Sequence, residues 1–172
     1  FVAPPRIRYN PTRTTGFMEY VSAQGRQPRT ETLHAERRAA GAWLAKRMGL
    51  EDSAPVYFLQ RRRWVDERPV LIELIALDAG WCPGLLDHDL DTSLMSLLRE
   101  RFGLQPTRCQ LAMHPTALNA AQAEPLQLAP GSPALYLERL SYAEGQRVVE
   151  FDQEFWRLDA LEIVLDAAYP GA

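Results

Sequence analysis

The chain has 172 residues, 47% hydrophobic and 24% charged, enough for one sizeable core and a single domain. A net charge of -3 argues against this segment gripping a polyanion by itself, because nucleic-acid-binding modules carry a basic field. Cys82 and Cys109 are too few for a disulfide framework, and no signal peptide or long apolar run is present, so the cytoplasm is the expected location and no membrane partner is expected.

Residues 1–14 (FVAPPRIRYNPTRT) are rich in proline and turn formers and lack periodicity, which reads as an extended linker or a single edge strand. Starting at Phe1 rather than methionine, the sequence reads as a fragment or processed product. Thr15 and Gly16 can cap a short helix with Phe17 and Val21 on one face and Gly25 as its stop. Amides at such a start can hold an anion, although an ordinary capped surface helix has the same pattern. A strand is expected near 31–38, then a helix from Ala39 to Met48 with Ala40, Trp43, Leu44 and Met48 at helical spacing and Gly49 beyond it.

The stretch from Val56 to Leu77 carries the most unusual pattern. Alternation places Tyr57, Leu59, Arg61, Arg63 and Val65 on one side of a strand. After the turn signal Asp66-Glu67-Arg68-Pro69, residues 70–77 are apolar at nearly every position, with Glu73 as the only charge. An ionised Glu in such a strand is costly unless paired, and the arginines across the hairpin are the nearest partners. A two-residue loop at Asp66-Glu67 would pair Arg61 with Ile72 and leave Glu73 on the face of Arg62. A three-residue or bulged loop would set Glu73 beside Arg61 and Arg63. Glu67 suits a two-residue loop poorly, so the bulged version is expected.

The Pro/Gly/Asp-rich segment WCPGLLDHDLDT leads into a helix from Ser93, capped by Asp91 or Thr92, burying Leu94, Leu97, Leu98 and Phe102 and ending at Gly103. The pattern then restarts. Displacing the sequence by 78 positions aligns Leu33 with Leu111, Ala42 with Ala120, Pro55 with Pro133, Leu59 with Leu137, Arg61 with Arg139 and Val70 with Val148. The expected fold is α+β: a mixed or antiparallel sheet with packed helices, built from a duplicated strand-helix-hairpin unit. Pro125 should cut the second helix short. Strands 134–142 and 148–157 flank the Glu144-Gly145 turn, and Val148, Glu150, Asp152, Glu154 and Trp156 share a face. A small-molecule cleft between the halves would follow.

Catalytic motifs are absent: no nucleophile elbow, no H-E-x-x-H, no P-loop, no dinucleotide fingerprint. His34, His88 and His114 never fall at ligand spacing with a cysteine, so no metal site and no cofactor are expected. Cys82 has no local basic neighbour and reads as a structural thiol. A non-enzymatic binding site remains. Arg61 and Arg63 offer planar donor forks for a phosphate or carboxylate, and Glu73 and Glu150 could accept from hydroxyls or an amine. Internal salt bridges among these four would give the same pattern. Truncating either arginine is expected to weaken anion binding and leave the fold intact.

RRRWVDERPVLIE resembles the R-x-R-x-x-D-G-x-P-x-x-x-E signature of the UTRA domain in the HutC branch of GntR transcriptional regulators. CPGLLDHDLDTSLMSLL is similar to that family's P-G-L…D-L…S-L-Y…L, and VVEFDQEFWRLDALEI to its V-E…Y-R-x-D-x-x-x-F ending. The likeness runs from about residue 15 to 166, and FVAPPRI resembles the last wing strand of a winged helix entering a linker. It implies a chorismate lyase-like fold, with residues 1–14 linking a missing DNA-binding domain to an effector domain at 15–172. It also implies a cytoplasmic homodimer and repressor that binds a small anionic metabolite and touches DNA only through the missing domain. Residue by residue, the resemblance assigns Arg61, Arg63 and Ser93 to the anionic group, with backbone near Gly16 and Phe17 assisting. Glu73 and Glu150 would meet polar groups of the ligand, and Trp156 would stack on a ring. Met95 stands where many members have Tyr, Glu67 replaces the turn glycine, and Gly16 replaces a Ser of aminosugar-phosphate-responsive members. These departures leave carboxylates and phosphonates beside phosphorylated aminosugars as candidates. An enzyme of the same fold, releasing pyruvate from chorismate, is the competing expectation.

Overall fold

The structure, a computed structural model, describes residues 4–169. The first three residues of FVAPPRI and the end of the expected effector domain at 170–172 lie outside the described residues.

Six strands form one antiparallel sheet: β2 (Pro28–Ala39), β3 (Pro55–Val65), β4 (Arg68–Asp78), β5 (Arg108–Ala117), β6 (Pro133–Tyr142) and β7 (Val148–Arg157), in the order β2-β3-β4-β7-β6-β5. A short parallel pair, β1 (Ile7–Tyr9) with β8 (Leu161–Ile163), packs beside it. The order shows the duplication directly. Each half is strand, helix, hairpin, and the halves meet at β4 and β7 with Leu71 opposite Trp156 and Leu77 opposite Glu150. The first-half helix α2 (Gly41–Met48) ends at Gly49, whose φ of 68° closes the turn. Its counterpart α4 (Ala120–Ala123) gives way to a single 3-10 turn at Glu124–Leu126, where Pro125 withdraws an amide from the helical ladder.

Alternation along the strands sends side chains to two faces. The back face meets α2, where Leu44 and Met48 pack on Val56, Ala76 and Phe151, and the α4 region, where Leu118, Ala123 and Leu126 pack on Ile72, Ala134 and Phe155. Trp43, expected on the buried stripe of α2, is 54% exposed; it lies beside Arg47 and edge-on to Phe151. The front face is covered at its two ends. α1 (Phe17–Ala23), β1 and β8 close one end through Ile7, Tyr9, Phe17, Val21, Leu71 and Trp156. α3 (Leu94–Phe102) and the preceding loop close the other through Leu59, Ile75, Leu77, Leu85, Leu94 and Leu98. A belt of charged side chains crosses the sheet between these two apolar clusters.

Two local expectations change. The 1–14 segment contributes β1, with Ile7 and Tyr9 buried, so the folded unit takes in part of the stretch read as a linker, in line with the strand reading of it. Helix α3 is capped by Ser93 itself, which accepts from the Ser96 amide at 3.4 Å, because Asp91 is drawn away to the Thr32 amide.

Candidate functional site

The hairpin between β3 and β4 sets the geometry. Its loop is the two residues Asp66 and Glu67, both left-handed (φ 47° and 64°), the shape of a type I′ turn. Asp66 is held there by Arg26 and by the Gln27 amide. One pair further on, the register slips: Trp64 faces Pro69 but Arg63 faces Leu71, leaving Val70 as a β-bulge. The bulge was expected, but it follows a tight turn instead of replacing it. Its consequence is that Arg61 lies opposite Glu73 on the front face.

Arg61 and Arg63 both converge on one oxygen of Glu73. Arg61 donates Nε to Oε2 at 3.1 Å with its Nη2 3.0 Å from the same oxygen, and Arg63 donates Nε at 3.1 Å with its Nη2 likewise at 3.0 Å. Arg61 is 1% exposed and also ties down the loop before α3, donating Nη1 to the Leu90 and Thr92 carbonyls at 3.2 and 3.4 Å. Arg63 donates Nη1 to Thr30 Oγ1 at 2.6 Å and lies over the Phe17 ring at 5.0 Å. Burial alone would raise the Glu73 carboxyl, but the charges of Arg63 and Arg61 and their hydrogen bonds outweigh it and hold it below the usual range. The internal ion-pair reading therefore holds for Arg61, Arg63 and Glu73. Among the described residues Glu150 makes no salt bridge.

The second half supplies the rest of the belt. Glu150, Asp152, Glu154 and Trp156 of β7 point to the front, as the alternation required, but Val148, expected with them, packs on the back face because Val149 is an extra residue in the register. Trp156 is buried between Tyr9 and Phe17 and donates Nε1 to Glu154 Oε2 at 2.6 Å, so its indole positions a carboxylate as well as filling the core. Arg139 of β6 sits opposite Asp152, yet its Nη2 donates to the Tyr9 hydroxyl at 2.6 Å and lies 3.8 Å from Glu154. Asp152 is 2% exposed, and its Oδ1 has no hydrogen-bond partner. Burial, then the charges of Glu73, Glu154 and Glu150, push its carboxyl well above the usual range; Arg139 offsets this in part. Burial likewise raises Glu150 and Glu154.

Above the belt is a cavity of about 200 Å³. All the residues nominated from sequence line it: Gly16, Phe17, Arg61, Arg63, Glu73, Ser93, Met95, Glu150 and Trp156. The starts of α1 and α3 meet at its mouth, where a Cβ on Gly16 would clash with the Glu19 carboxylate and lie 3.2 Å from Ser93 Oγ. Glu19 accepts there from Ser96 Oγ at 3.2 Å. Sequence reasoning passed over Asp152, Glu154, Arg139 and Tyr9. The signal for three of them was present, in the polar face of β7 and in Arg139 as the repeat partner of Arg61. Tyr9 could be found only from the way β1 folds back. Cys82 is buried with its thiol pushed up to about 12 by burial, as suits a structural residue.

A front-face cavity floored by buried ions on an antiparallel sheet defines the class: an α+β domain with an internal polar pocket. The chain belongs to the UTRA domain family, matched over residues 23–162, and its relatives are HTH-type transcriptional regulators of the GntR family. It is 25% identical over 165 residues to the HTH-type transcriptional regulator GgaR of Escherichia coli K12, covering 93% of this chain and 63% of that protein. The chain thus spans less than two thirds of the length of that curated relative. It superposes on PhnF from Mycobacterium smegmatis with a TM-score of 0.89 and 28% identity, over 97% of this chain and 75% of that one. The effector domain of the same PhnF gives 0.83 and 26%, over 95% of this chain and all of that domain.

Proposed function

We propose that this chain is the effector-binding and dimerisation domain of a bacterial transcriptional repressor of the GntR/HutC type, acting in the cytoplasm as a homodimer. A winged-helix domain ahead of the folded unit would make the DNA contacts, joined through the first residues of the sequence. The observation that carries the reading is the cavity: residues nominated from scattered motifs line one pocket over a buried ionic floor.

In this reading the ligand's anionic group meets Arg63, Ser93 and the first amides of α3, with Gly16 and Phe17 walling the same end. Arg61 lies beneath, fixing Glu73 and the loop before α3. Met95 sets the width of the entrance. Glu73, Glu150 and Trp156 contribute to the polar floor. A ligand that prefers one arrangement of the dimer shifts operator affinity by its differential binding to the two states.

A thermal-shift screen of sugar phosphates, phosphonates, urocanate and other small acids tests this. A true effector at a hundred times its Kd should stabilise the chain by about 2.7 kcal/mol, or roughly 5–10 °C for a chain of this length. Incubation with chorismate, with pyruvate as the readout, tests the competing lyase; pyruvate release with no stabilising ligand would reverse the conclusion. Sedimentation velocity tests the homodimer.

A further inference from the structure

The six-stranded sheet ends in two edge strands, β2 and β5, and the two edges differ. β2 is broken: its register on β3 shifts between Thr32 and His34, leaving Leu33 as a bulge, and the Thr32 amide is given to Asp91 Oδ1 at 2.6 Å. Bulges and occupied amides keep a sheet edge from pairing with another chain. β5 instead runs in unbroken register against β6, from Arg108 opposite Tyr142 to Ala117 opposite Pro133, and carries no charged side chain from Cys109 to Ala117 at pH 7. The parity of the ladder shows which of its backbone groups face outward. Leu118, just past β5, donates its amide to the Ser132 carbonyl just before β6, so even positions serve β6 and the amides and carbonyls of Cys109, Leu111 and Met113 point to the free edge. Pro115, which has no amide to give, falls in the outward set, where an edge strand tolerates proline. The side chains at these positions share the front face with Arg139; Met113 is 39% exposed and Leu111 is half-buried.

We propose that this edge is a seam between two copies of the chain: β5 of one pairs antiparallel with β5 of the other about a two-fold axis at Leu111, joining both sheets into one. A strand that pairs with itself must be self-complementary, and the sequence of β5 selects this register. Leu111 faces Leu111 and Cys109 faces Met113, so each outward amide meets an outward carbonyl and the exposed apolar side chains cover one another. Pro115 comes opposite Thr107, whose amide already goes to the Tyr142 carbonyl at 2.9 Å, so neither position is asked for a donor it lacks. An axis at Met113 would set Leu111 against Pro115, and an axis at Cys109 would set it against Thr107; either leaves the Leu111 carbonyl without a donor. No like charges meet across the seam, because the paired stretch is neutral. Arg108 and Cys109 also line the cavity, so the seam and the ligand pocket share residues.

The seam rests on the homodimer reading above, and its test separates the two. Sedimentation velocity of the chain over a range of concentrations gives the dimer dissociation constant. Met113→Pro withdraws one outward amide from each copy without touching the ladder to β6, and should raise that constant about tenfold to a hundredfold, the range of two backbone hydrogen bonds; Met113→Leu, which keeps the amide, should leave it unchanged. Hydrogen exchange needs no variant. The amides of Cys109, Leu111 and Met113 should be protected in the dimer and lose that protection on dilution, whereas those of Gln110, Ala112 and His114 stay protected at every concentration. A dimer in which the three outward amides exchange freely, or which Met113→Pro leaves equally tight, would overturn the seam and leave the homodimer standing. A monomeric parent would remove both. Chains of more than two copies that Met113→Pro dissolves would show β5 pairing with a different edge, and would overturn the two-fold arrangement.

Discussion

Replacing Arg61 by alanine tests whether the arginine pair is scaffold or ligand anchor. The substitution removes two contacts to Glu73 and two to the Leu90 and Thr92 carbonyls, from a side chain that is 1% exposed. Breaking a buried ion pair by removing one partner costs about 3–5 kcal/mol. Glu73 keeps Arg63, and the vacated carbonyls border a cavity that water can enter, so about 3 kcal/mol is expected, corresponding to roughly 6–12 °C in Tm. The assay is urea unfolding followed by tryptophan fluorescence, with the midpoint lowered and the m-value unchanged. This departs from the expectation that the fold would be indifferent to the loss of Arg61. Arg63→Ala should cost less: it too leaves Glu73 with one arginine, but its other lost contacts are to Thr30 and the face of Phe17 instead of two buried carbonyls. If Arg61→Ala unfolds at the parent's urea midpoint yet no longer binds any anion, the guanidinium serves the ligand and the scaffold argument is wrong.

Other perturbations probe the pocket and its hairpin. Glu67 occupies a left-handed position where glycine carries no steric penalty, so Glu67→Gly should stabilise the chain by about 1 kcal/mol, read from the urea midpoint; a loss of stability would mean the Glu67 side chain makes a contact that matters. The Asp152 carboxyl is raised by burial and by Glu73, Glu154 and Glu150, and the Arg139 charge lowers it only in part. The folded chain therefore holds more protons than the unfolded one above the usual Asp value of 3.8, and this group's contribution to stability falls as pH rises from there. Asp152→Asn should flatten that decline, leaving the variant relatively more stable at pH 7 than at pH 4; an unchanged pH profile would show that Asp152 is not the strained acid. Glu73 has the opposite sign: its depressed value contributes stability above the usual Glu value of 4.5 that is lost as pH falls through the folded value, and Glu73→Gln should remove that acid-side loss. Gly16→Ala should displace the Glu19 carboxylate at little cost in stability, since that side chain is exposed and flexible, but should alter anion affinity at the cavity mouth, measured calorimetrically.

Most of the sheet was legible because its two faces are chemically distinct over long runs. Alternation in β3 and β7 placed Arg61, Arg63, Asp152, Glu154 and Trp156 on the front face before any contact was known, and the displaced repeat supplied the order in which the halves recur. The turn was harder. Glu67 is a poor type I′ residue, and the strain is accepted because Asp66 is anchored by Arg26 and Gln27, which are remote in sequence. The cap of α3 was misplaced for a similar reason: Asp91, a good cap by type, is engaged by the Thr32 amide across the sheet edge. Tyr9 was missed for a further reason. Tyr9 and Arg139 meet only because the first strand runs back beside the last, and pairing of that kind leaves no periodic trace in either segment.

The internal repeat also explains why the pocket has two chemically different sides. A duplicated unit begins with equivalent cross-strand pairs, and both survive in register: Arg61 opposite Glu73, and Arg139 opposite Asp152. The first pair is joined by a second arginine, Arg63, which saturates Glu73. In the second, Arg139 donates to Tyr9 of β1, a strand outside the duplicated unit. That diversion keeps Arg139 close enough to Glu154 to moderate the acidic cluster, but leaves Asp152 unsatisfied. Burial of an unpartnered carboxylate oxygen costs stability, and the Arg139 Nε opposite it is unpartnered as well. The two sides of the cavity are therefore unlike: one is saturated by Arg61 and Arg63, the other keeps an unpaired carboxylate oxygen.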